Sequence, residues 1–543
     1  MGEIVHALLF DTRSIQRYIY AGNRLKTNIG ASYLVDTVFT QELFPVVAEA
    51  LPDGGIDTDS WQEKLPVEKL QQPQQCVVAS NGGGNALLLF SKDVTEETLL
   101  QIVRTFTENL LVTRPGLHVG AARGEMNLDP AVFQQDLGKL FQKLKANQNV
   151  VFPQVNVPYT GLTLSCEVNG EAANYFDAHQ QVRPDGGEVR FYSQEVAVKA
   201  KAAVKATENL QKKYPDIAAS YTFPLEIDRL GQKESENYYS IVHIDGNNMG
   251  EKFRGCHTQE ERSHLSENVR RKTEGCFGRL LESIDAEYAS YRDFLDLVPD
   301  AHEEKRRMPI RPIILGGDDV TFVCPAKVAI RYTKRFMEAM MDPDAVPGID
   351  AEAAKRIDCC AGIAIVKTTY PFFRGYELAE QLCDAAKVRM RQTKQEDNAA
   401  TSWLDFAILH GEQAPTLEQI REQEYNSVRG NMHFGPYQVC HTEGTAPKEH
   451  RYDIEQLIEA VHQLQDGCMA HGKAKELRDV LQHGKHDAQR FLLQLDHMNQ
   501  KLPDIREWDV YAEPENALWS GGRTPYVDAI ELMDFIPQGG EGK

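Results

Sequence analysis

The sequence predicts an α+β fold: two ferredoxin-like palm units of order β-α-β-β-α-β, a small insert between them and a C-terminal helical bundle. Three observations predict it. Each copy opens on a strand-like run ending in aspartate, EIVHALLFD at Asp11 and YYSIVHID at Asp245. Each continues into two short apolar runs joined by glycines, one pair around Gly82-Gly83-Gly84-Asn85 and the other around Gly316-Gly317-Asp318-Asp319. Glycine tolerates the positive φ of a tight hairpin, so each pair reads as strand, turn, strand. Finally, a helical pattern and one more strand close both copies.

In order along the chain, residues 1–125 are expected to form the first palm. Its opening strand feeds a helical stretch from about Ser14 to Ala50, then a polar Pro-containing connection, the CVVAS and NALLLF hairpin, a helix from about Val94 to Leu111 and the strand GLHVGAAR. Residues 126–230 mix a Lys/Gln-rich helical stretch, LGKLFQKLKANQ, with the loop-rich LSCEVNGEAANYFD, and are expected to be the insert. Residues 231–442 repeat the first pattern: GNNMGEKF opens a helix, AKVAIRYTKRFMEAM is helical and IDCCAGIAIVKT is the closing strand. The helix GYELAEQLCDAAKVRMRQ and the run SWLDFAILH extend this copy beyond the minimal unit. From residue 443 to 543 helical periodicity dominates. Superimposing the copies pairs Asp11 with Asp245 and Gly82-Asn85 with Gly316-Asp319, so the first copy lacks the hairpin acids.

Composition narrows the function. The chain has 543 residues, enough for three to four domains, and its 59 Lys and Arg against 80 Asp and Glu leave a formal charge of −21. That balance suits poorly a protein that coats bare phosphate backbone. No apolar run is long enough to span a bilayer, and Asp11 and Arg13 interrupt the opening before a signal-peptide core forms. Ten cysteines without any C-x-x-C argue against a disulfide framework and a cysteine zinc site. The expected location is cytoplasmic, with reduced thiols.

A strand ending at Asp245 beside a hairpin carrying Asp318 and Asp319 gathers carboxylates at one sheet edge, and hard oxygen ligands of this kind suit Mg²⁺ or Mn²⁺. Two such ions, about 3.5 to 4 Å apart, would hold a triphosphate and activate a 3′-hydroxyl, as in polymerases and nucleotide cyclases. The bland alternative is that these are turn residues chosen for backbone reasons; the degenerate duplicate and the strand-terminal Asp245 favour the metal reading. Because adjacent strand residues face opposite ways, one of Asp318 and Asp319 can stand behind the other. Gly246, Asn247, Asn248 and Met249 lie where strand gives way to helix, a place that receives phosphate or simply caps a helix. Gly316 and Gly317 flank the acids. Lys387, with Arg389 and Arg391 near it, is positioned either to meet a triphosphate or to be a solvated helix face.

These segments resemble a known family, the large subunit of type III CRISPR effector complexes in the form lacking an HD nuclease domain. The carriers are SIQRYIYAGNRLKTNIGASYLVD, IDGNNMG, LGGDDVTF, CCAGIAIVKTTYPF with the helix through AAK, and SWLDFAILH. The resemblance implies a cyclic-oligoadenylate synthase that joins ATP 3′ to 5′ at the second palm, with Asp245, Asp318 and Asp319 as catalytic metal ligands. It also implies that the first palm docks the second ATP, with Ser32 of a Gly-x-Ser element as a contact, unless Gly30, Ala31 and Ser32 serve close helix packing. Small and backbone subunits with guide and target RNA are the implied partners; the oligomeric state, including a dimer, stays open.

Three departures set further expectations. The chain begins at the first palm, so DNA cleavage by an HD domain is not expected, and His486-Asp487 reads as surface. Only Cys166 remains where the family carries a four-cysteine element, so zinc is not expected. Asn247 stands where related motifs are often acidic. The basic cluster Lys305, Arg306, Arg307 and Arg311 reads as a solubilising loop or an RNA contact. The rival functions are a stand-alone cyclase making a cyclic mono- or dinucleotide, separable by product analysis, and a catalytically silent scaffold subunit, against which the intact acids speak.

Overall fold

The computed structural model describes residues 4–148, 161–182, 190–233, 237–297, 304–397, 401–411, 413, 415–441, 452–483, 485–513 and 518–538. The first unit contains β1 (Ile4–Arg13), α1 (Ile15–Tyr20), α2 (Leu25–Asp36), α3 (Phe44–Ala50), β2 (Gly55–Asp57), β3 (Gln75–Gly82), β4 (Asn85–Phe90), α4 (Glu96–Thr113), β5 (His118–Asn127) and α5 (Phe133–Gln148). Its sheet runs β2-β3-β4-β1-β5, with β1 antiparallel to both neighbours. Ala7, Leu8, Leu9 and Phe10 of β1 are all buried, so this strand is apolar without alternation because packing covers both faces.

The expected single helical stretch from Ser14 to Ala50 is instead broken. Residues 21–24 separate α1 from α2, and a π-helical turn, Phe39–Leu43, precedes α3. The first sheet unit also reaches past residue 125: β5 runs through Asn127, and α5, the Lys/Gln-rich stretch placed in the insert, lies on β5 and β1.

The insert that remains contains β6 (Tyr175–Phe176), β7 (Phe191–Tyr192), α6 (Gln194–Lys213), α7 (Pro215–Ser220) and β8 (Tyr221–Thr222). Cys166 packs there in a small apolar core with Val168, Val182, Tyr192, Val196 and Ala200. Against it α2 presses α6 so closely that a Cβ on Gly30 would lie 1.7 Å from the Lys199 carbonyl oxygen. Gly30→Ala is therefore expected to cost about 1–3 kcal/mol by overpacking; a denaturant midpoint equal to that of the parent would contradict this.

The second unit contains β9 (Tyr238–Gly246), α8 (Met249–Arg254), α9 (Gln259–Tyr291), β10 (Arg306–Arg307), β11 (Arg311–Gly316), β12 (Asp319–Pro325), α10 (Ala329–Met341), α11 (Glu352–Lys355), β13 (Cys359–Lys367), α12 (Phe372–Asp397), β14 (Thr401–Ile408), α13 (Leu417–Gln423), β15 (Asn426–Ser427), β16 (Gly430–Asn431) and β17 (Tyr437–His441). Its sheet runs β11-β12-β9-β13-β14-β17; the first four strands repeat the order β3-β4-β1-β5 of the first unit. SWLDFAILH supplies β14, parallel to β13. The basic cluster is not a free loop. Lys305 Nζ donates to the Ala218 carbonyl at 2.6 Å, Arg306 stacks over Tyr221 and Tyr288, and Arg311 is buried on β11.

The C-terminal helices are α14 (Ile454–Gln465), α15 (His471–Gln482), α16 (Lys485–His497), α17 (Trp508–Tyr511) and α18 (Tyr526–Leu532). A buried polar cluster ties α18 to the second sheet: His433 bonds Asp528 at 2.8 Å and Asp405 at 2.9 Å. Among the described residues, no helix is long and apolar enough to cross a membrane, and the nine cysteines whose side chains are described are free.

Candidate active site

The register of the two sheets places the acids. Asp245 on β9 pairs with Asp319 on β12, just as Asp11 on β1 pairs with Asn85 on β4. Gly316 and Asp319 close a two-residue turn, with φ +60° at Gly317. In the first unit Gly82 and Asn85 close a two-residue turn at the same place, but with positive φ at both central residues, +59° at Gly83 and +78° at Gly84. Asp318 therefore corresponds to Gly84, and Asp319 to Asn85.

Side-chain volume explains the difference between the copies. A Cβ on Gly246 would lie 2.8 Å from the Asp318 Cβ, so glycine there leaves the room that Asp318 fills. The first unit reverses the choice: Thr12 occupies the place of Gly246, and a Cβ on Gly84 would lie 2.4 Å from Thr12 Oγ1. The backbone bond is kept in both copies, from Gly246 N–H to the Asp318 carbonyl at 3.2 Å and from Thr12 N–H to the Gly84 carbonyl at 2.8 Å.

The duplication extends to the following helices. Ser14 and Asn248, each three residues past the strand aspartate, both adopt left-handed φ, 51° and 57°. Each precedes a helix of six residues, α1 or α8. Asn248 makes no side-chain cap bond, so it is not an ordinary N-cap. Asn247 is buried, with both side-chain amide atoms unpartnered; its N–H donates to the Asp358 carbonyl at 2.8 Å.

A second correspondence was missed in the sequence. Gln148 is the sixteenth residue of α5, and Lys387 the sixteenth of α12. Gln148 Nε2 donates to Asp11 Oδ2 at 2.7 Å, while Lys387 Nζ meets Asp245 Oδ2 at 2.5 Å. The same contact is neutral in one copy and an ion pair in the other. The sequence pattern hides this signal, because α5 lies beyond the closing strand of the first unit, in a stretch whose composition is that of the insert.

Electrostatics set the second site apart. Burial, then the charge of Asp245, pushes the Asp318 carboxyl up to about 6. Burial followed by Asp245 and Asp318 raises Asp319 to about 8. One oxygen of Asp319, Oδ1, is enclosed and has no hydrogen-bond partner. His243 Nδ1 lies 3.4 Å from it, and burial pushes the imidazole down to about 4, so it is neutral at physiological pH. Thr273 on α9 steadies the turn by donating to the Gly317 carbonyl at 2.5 Å.

The three carboxylates suit a hard divalent cation: they are oxygen donors, two on adjacent strands and Asp318 in the turn between β11 and β12, they repel one another, and one oxygen is unpartnered. Among the described residues no group of three or more His, Cys, Asp or Glu side chains is arranged to ligate an ion as it stands. Lys387, paired to Asp245, supplies the positive charge instead. The remaining expected residues stand apart from the acids in role: Met249 opens α8, Gly316 ends β11, and Ser32 is half-buried on α2, whose Gly30 is explained by packing on α6.

Residues 238–396 match the model of the Cas10/Cmr2 family's second palm domain. No curated protein matches the chain significantly. Among solved structures, a Csm1–Csm4 cassette in complex with pppApApA is similar at TM-score 0.50 and 13% identity, over 97% of this chain and 69% of that one. The apo Csm1–Csm4 cassette matches at TM-score 0.39 and 13% identity, over 71% of this chain and 53% of that one. Csm1 in T. onnurineus matches at TM-score 0.46 and 13% identity, over 99% and 70%. The chain thus spans about half to two thirds of the length of these structures.

Proposed function

We propose, from the premise that residues 238–396 are a Cas10/Cmr2 second palm domain and the chain a type III CRISPR large subunit, that it converts ATP to cyclic oligoadenylates at the second palm. The observation that carries this is the carboxylate cluster itself: Asp245 and Asp319 in register on neighbouring strands, with Asp318 folded over Gly246. A solved Csm1–Csm4 cassette of similar fold is in complex with pppApApA.

In this reading Asp245, Asp318 and Asp319 would hold Mg²⁺ or Mn²⁺, which when bound lowers the pKa of the attacking 3′-hydroxyl and offsets the charge of the leaving pyrophosphate. Lys387 leaves Asp245 for the triphosphate, which keeps its ammonium paired throughout. Gly246 makes room for Asp318, Gly316 and Gly317 keep side chains out of the phosphate path, and Asn247, Asn248 and Met249 line the turn beside it. Asp11, held by the neutral Gln148, gives the first palm no cluster of its own, so that palm docks the second ATP with Ser32 near it. Small and backbone subunits with guide and target RNA are the proposed partners, and target RNA the activator.

A second reading, a catalytically silent scaffold, is favoured by one observation, the ion pair by which Lys387 already neutralises Asp245. Incubating the chain with ATP and Mg²⁺ or Mn²⁺, with and without partner subunits and target RNA, and identifying products by mass spectrometry separates the two. Cyclic oligoadenylates made by the parent and lost in Asp318→Ala/Asp319→Ala establish the synthase. No product from any nucleoside triphosphate in the assembled complex leaves the scaffold.

A further inference from the structure

Asp319 stands on a polar ladder that ends in the other palm. His243 on β9 is the register partner of Thr321 on β12, as Asp245 is of Asp319. Residues two apart on a strand share a face, so His243, Thr321, Asp245 and Asp319 stand on one side of the sheet. His243 Nδ1 lies 3.3 Å from Thr321 Oγ1 and 3.4 Å from Asp319 Oδ1. Tyr20, the last residue of α1 in the first unit, is fully buried against this ladder. Its ring stacks on Tyr376 of α12 at 3.9 Å between centroids and 26° between planes, with Phe372 5.7 Å away on the same helix. Tyr376 in turn meets the His243 ring edge-on at 5.6 Å. Gln16, one turn earlier on α1, donates to Glu380 of α12 at 2.9 Å and fixes the approach of the two helices.

The polar atoms at this junction are left over in a telling way. The Tyr20 hydroxyl, the Tyr376 hydroxyl and Asp319 Oδ1 are each buried without a hydrogen-bond partner. Burial raises the Tyr20 phenol well above its ordinary value, the Thr321 hydroxyl opposes that rise, and the charge of Asp319 adds to it. Buried orphans are rare because each costs a lost hydrogen bond. Small rotations bring the Tyr20 hydroxyl onto the neighbouring Thr321 hydroxyl, and the His243 Nδ1 between Thr321 and Asp319 onto the carboxyl oxygen.

We propose that Tyr20 is a cross-palm positioning residue: delivered from the first palm, it holds the Asp319 carboxylate of the second through Thr321 and His243, so that the acidic cluster is complete only while the two palms are docked. The proposal rests on the synthase reading for the reaction it serves, but not for its geometry. Tyr20 does not touch the reacting atoms. It limits the rotation of a carboxylate that must keep one orientation to hold a cation.

The test uses the full chain. Tyr20→Phe keeps the stacked ring and removes the hydroxyl; Thr321→Val removes the next link and is the second variant. Mn²⁺ affinity is read by electron paramagnetic resonance, and turnover by product formation. Both variants are expected to bind Mn²⁺ about tenfold more weakly, the usual loss when a residue that orients a metal ligand is removed. In turnover, Tyr20→Phe is expected to lower kcat about tenfold at unchanged KM for ATP, and to add nothing to Asp319→Asn because both act on one carboxylate. Parent-like Mn²⁺ affinity in both variants overturns the positioning, whether or not product is made. A parent chain whose Mn²⁺ binding answers to Tyr20→Phe but which makes no product overturns the synthase reading and leaves the positioning standing. A parent chain that takes up no Mn²⁺ overturns both.

Discussion

Replacing Asp318 and Asp319 together with asparagine is expected to lower product formation at least about 1000-fold and, in the same chain, to raise the melting temperature of the metal-free protein. The two effects have one cause. With folded values of about 6 and about 8, these carboxyls lie above their ordinary value of 3.8, because burial and then Asp245 disfavour their charge. A carboxyl with a raised folded value binds more protons in the native state than in the unfolded one. Its cost is absent below the unfolded value, grows as pH rises and is complete above the folded value. The parent should therefore lose stability between about pH 4 and 8, and the asparagine variant should lose less over the same window. Thermal unfolding in chelator from pH 5 to 9, set beside the product assay, reads both. A variant that melts below the parent at pH 8 would mean that the acids are held by interactions stronger than their mutual repulsion. Retained turnover would remove them from the chemistry altogether.

How much of this was legible in the sequence depends on what kind of information each feature needs. The duplication could be read, because a strand-terminal aspartate and a glycine turn are local signals, and the register then placed Asp245 opposite Asp319 as the superposition of Gly82-Asn85 on Gly316-Asp319 required. The exchange of Thr12 and Gly84 for Gly246 and Asp318 was present as letters but needed packing distances to become a reason. The break of the first long helix at residues 21–24 was hidden by mixed apolar spacing on both sides of it. The match of Gln148 to Lys387 was invisible for a different reason: the helix residue that meets the strand aspartate lies 137 positions away in the first copy, and no periodicity connects them. The same holds for Tyr20, whose role comes from the docking of α1 against α12. Arg306 and Arg311 show the opposite error, since a basic run in an assumed loop turned out to be stacked or buried. Short-range chemistry is written locally; which side chains finish a site is decided by tertiary contact.

His433→Gln is expected to destabilise the chain by about 3–5 kcal/mol at neutral pH, the cost of leaving a buried charge pair without its partner. Both ring nitrogens of His433 face carboxylates, Nδ1 at 2.8 Å from Asp528 and Nε2 at 2.9 Å from Asp405. A carboxylate can only accept, so both nitrogens donate and the ring is an imidazolium. Around it, Asp405 also accepts from Arg421 at 3.1 and 3.0 Å, and Asp528 from the Tyr437 hydroxyl at 2.5 Å and the Phe434 N–H at 2.9 Å. Beyond these, Tyr425 donates to Glu531, which pairs with Arg478 at 2.7 Å. Three carboxylates thus stand against two guanidiniums, and the imidazolium closes the balance. Burial and Arg421 oppose that charge, but Asp528 and Asp405 raise the His433 value above 6.5. The stabilisation is fully present below the unfolded value and is lost as pH rises through the folded one. The parent should therefore lose stability on the alkaline side of pH 6.5, and the variant should lack that slope. Since Asp405 sits on β14 and Asp528 on α18, the loss should also loosen the C-terminal helices from the second palm, seen as faster amide exchange in α18. Equal pH slopes in parent and variant would show that His433 is neutral and that the cluster balances its charge some other way.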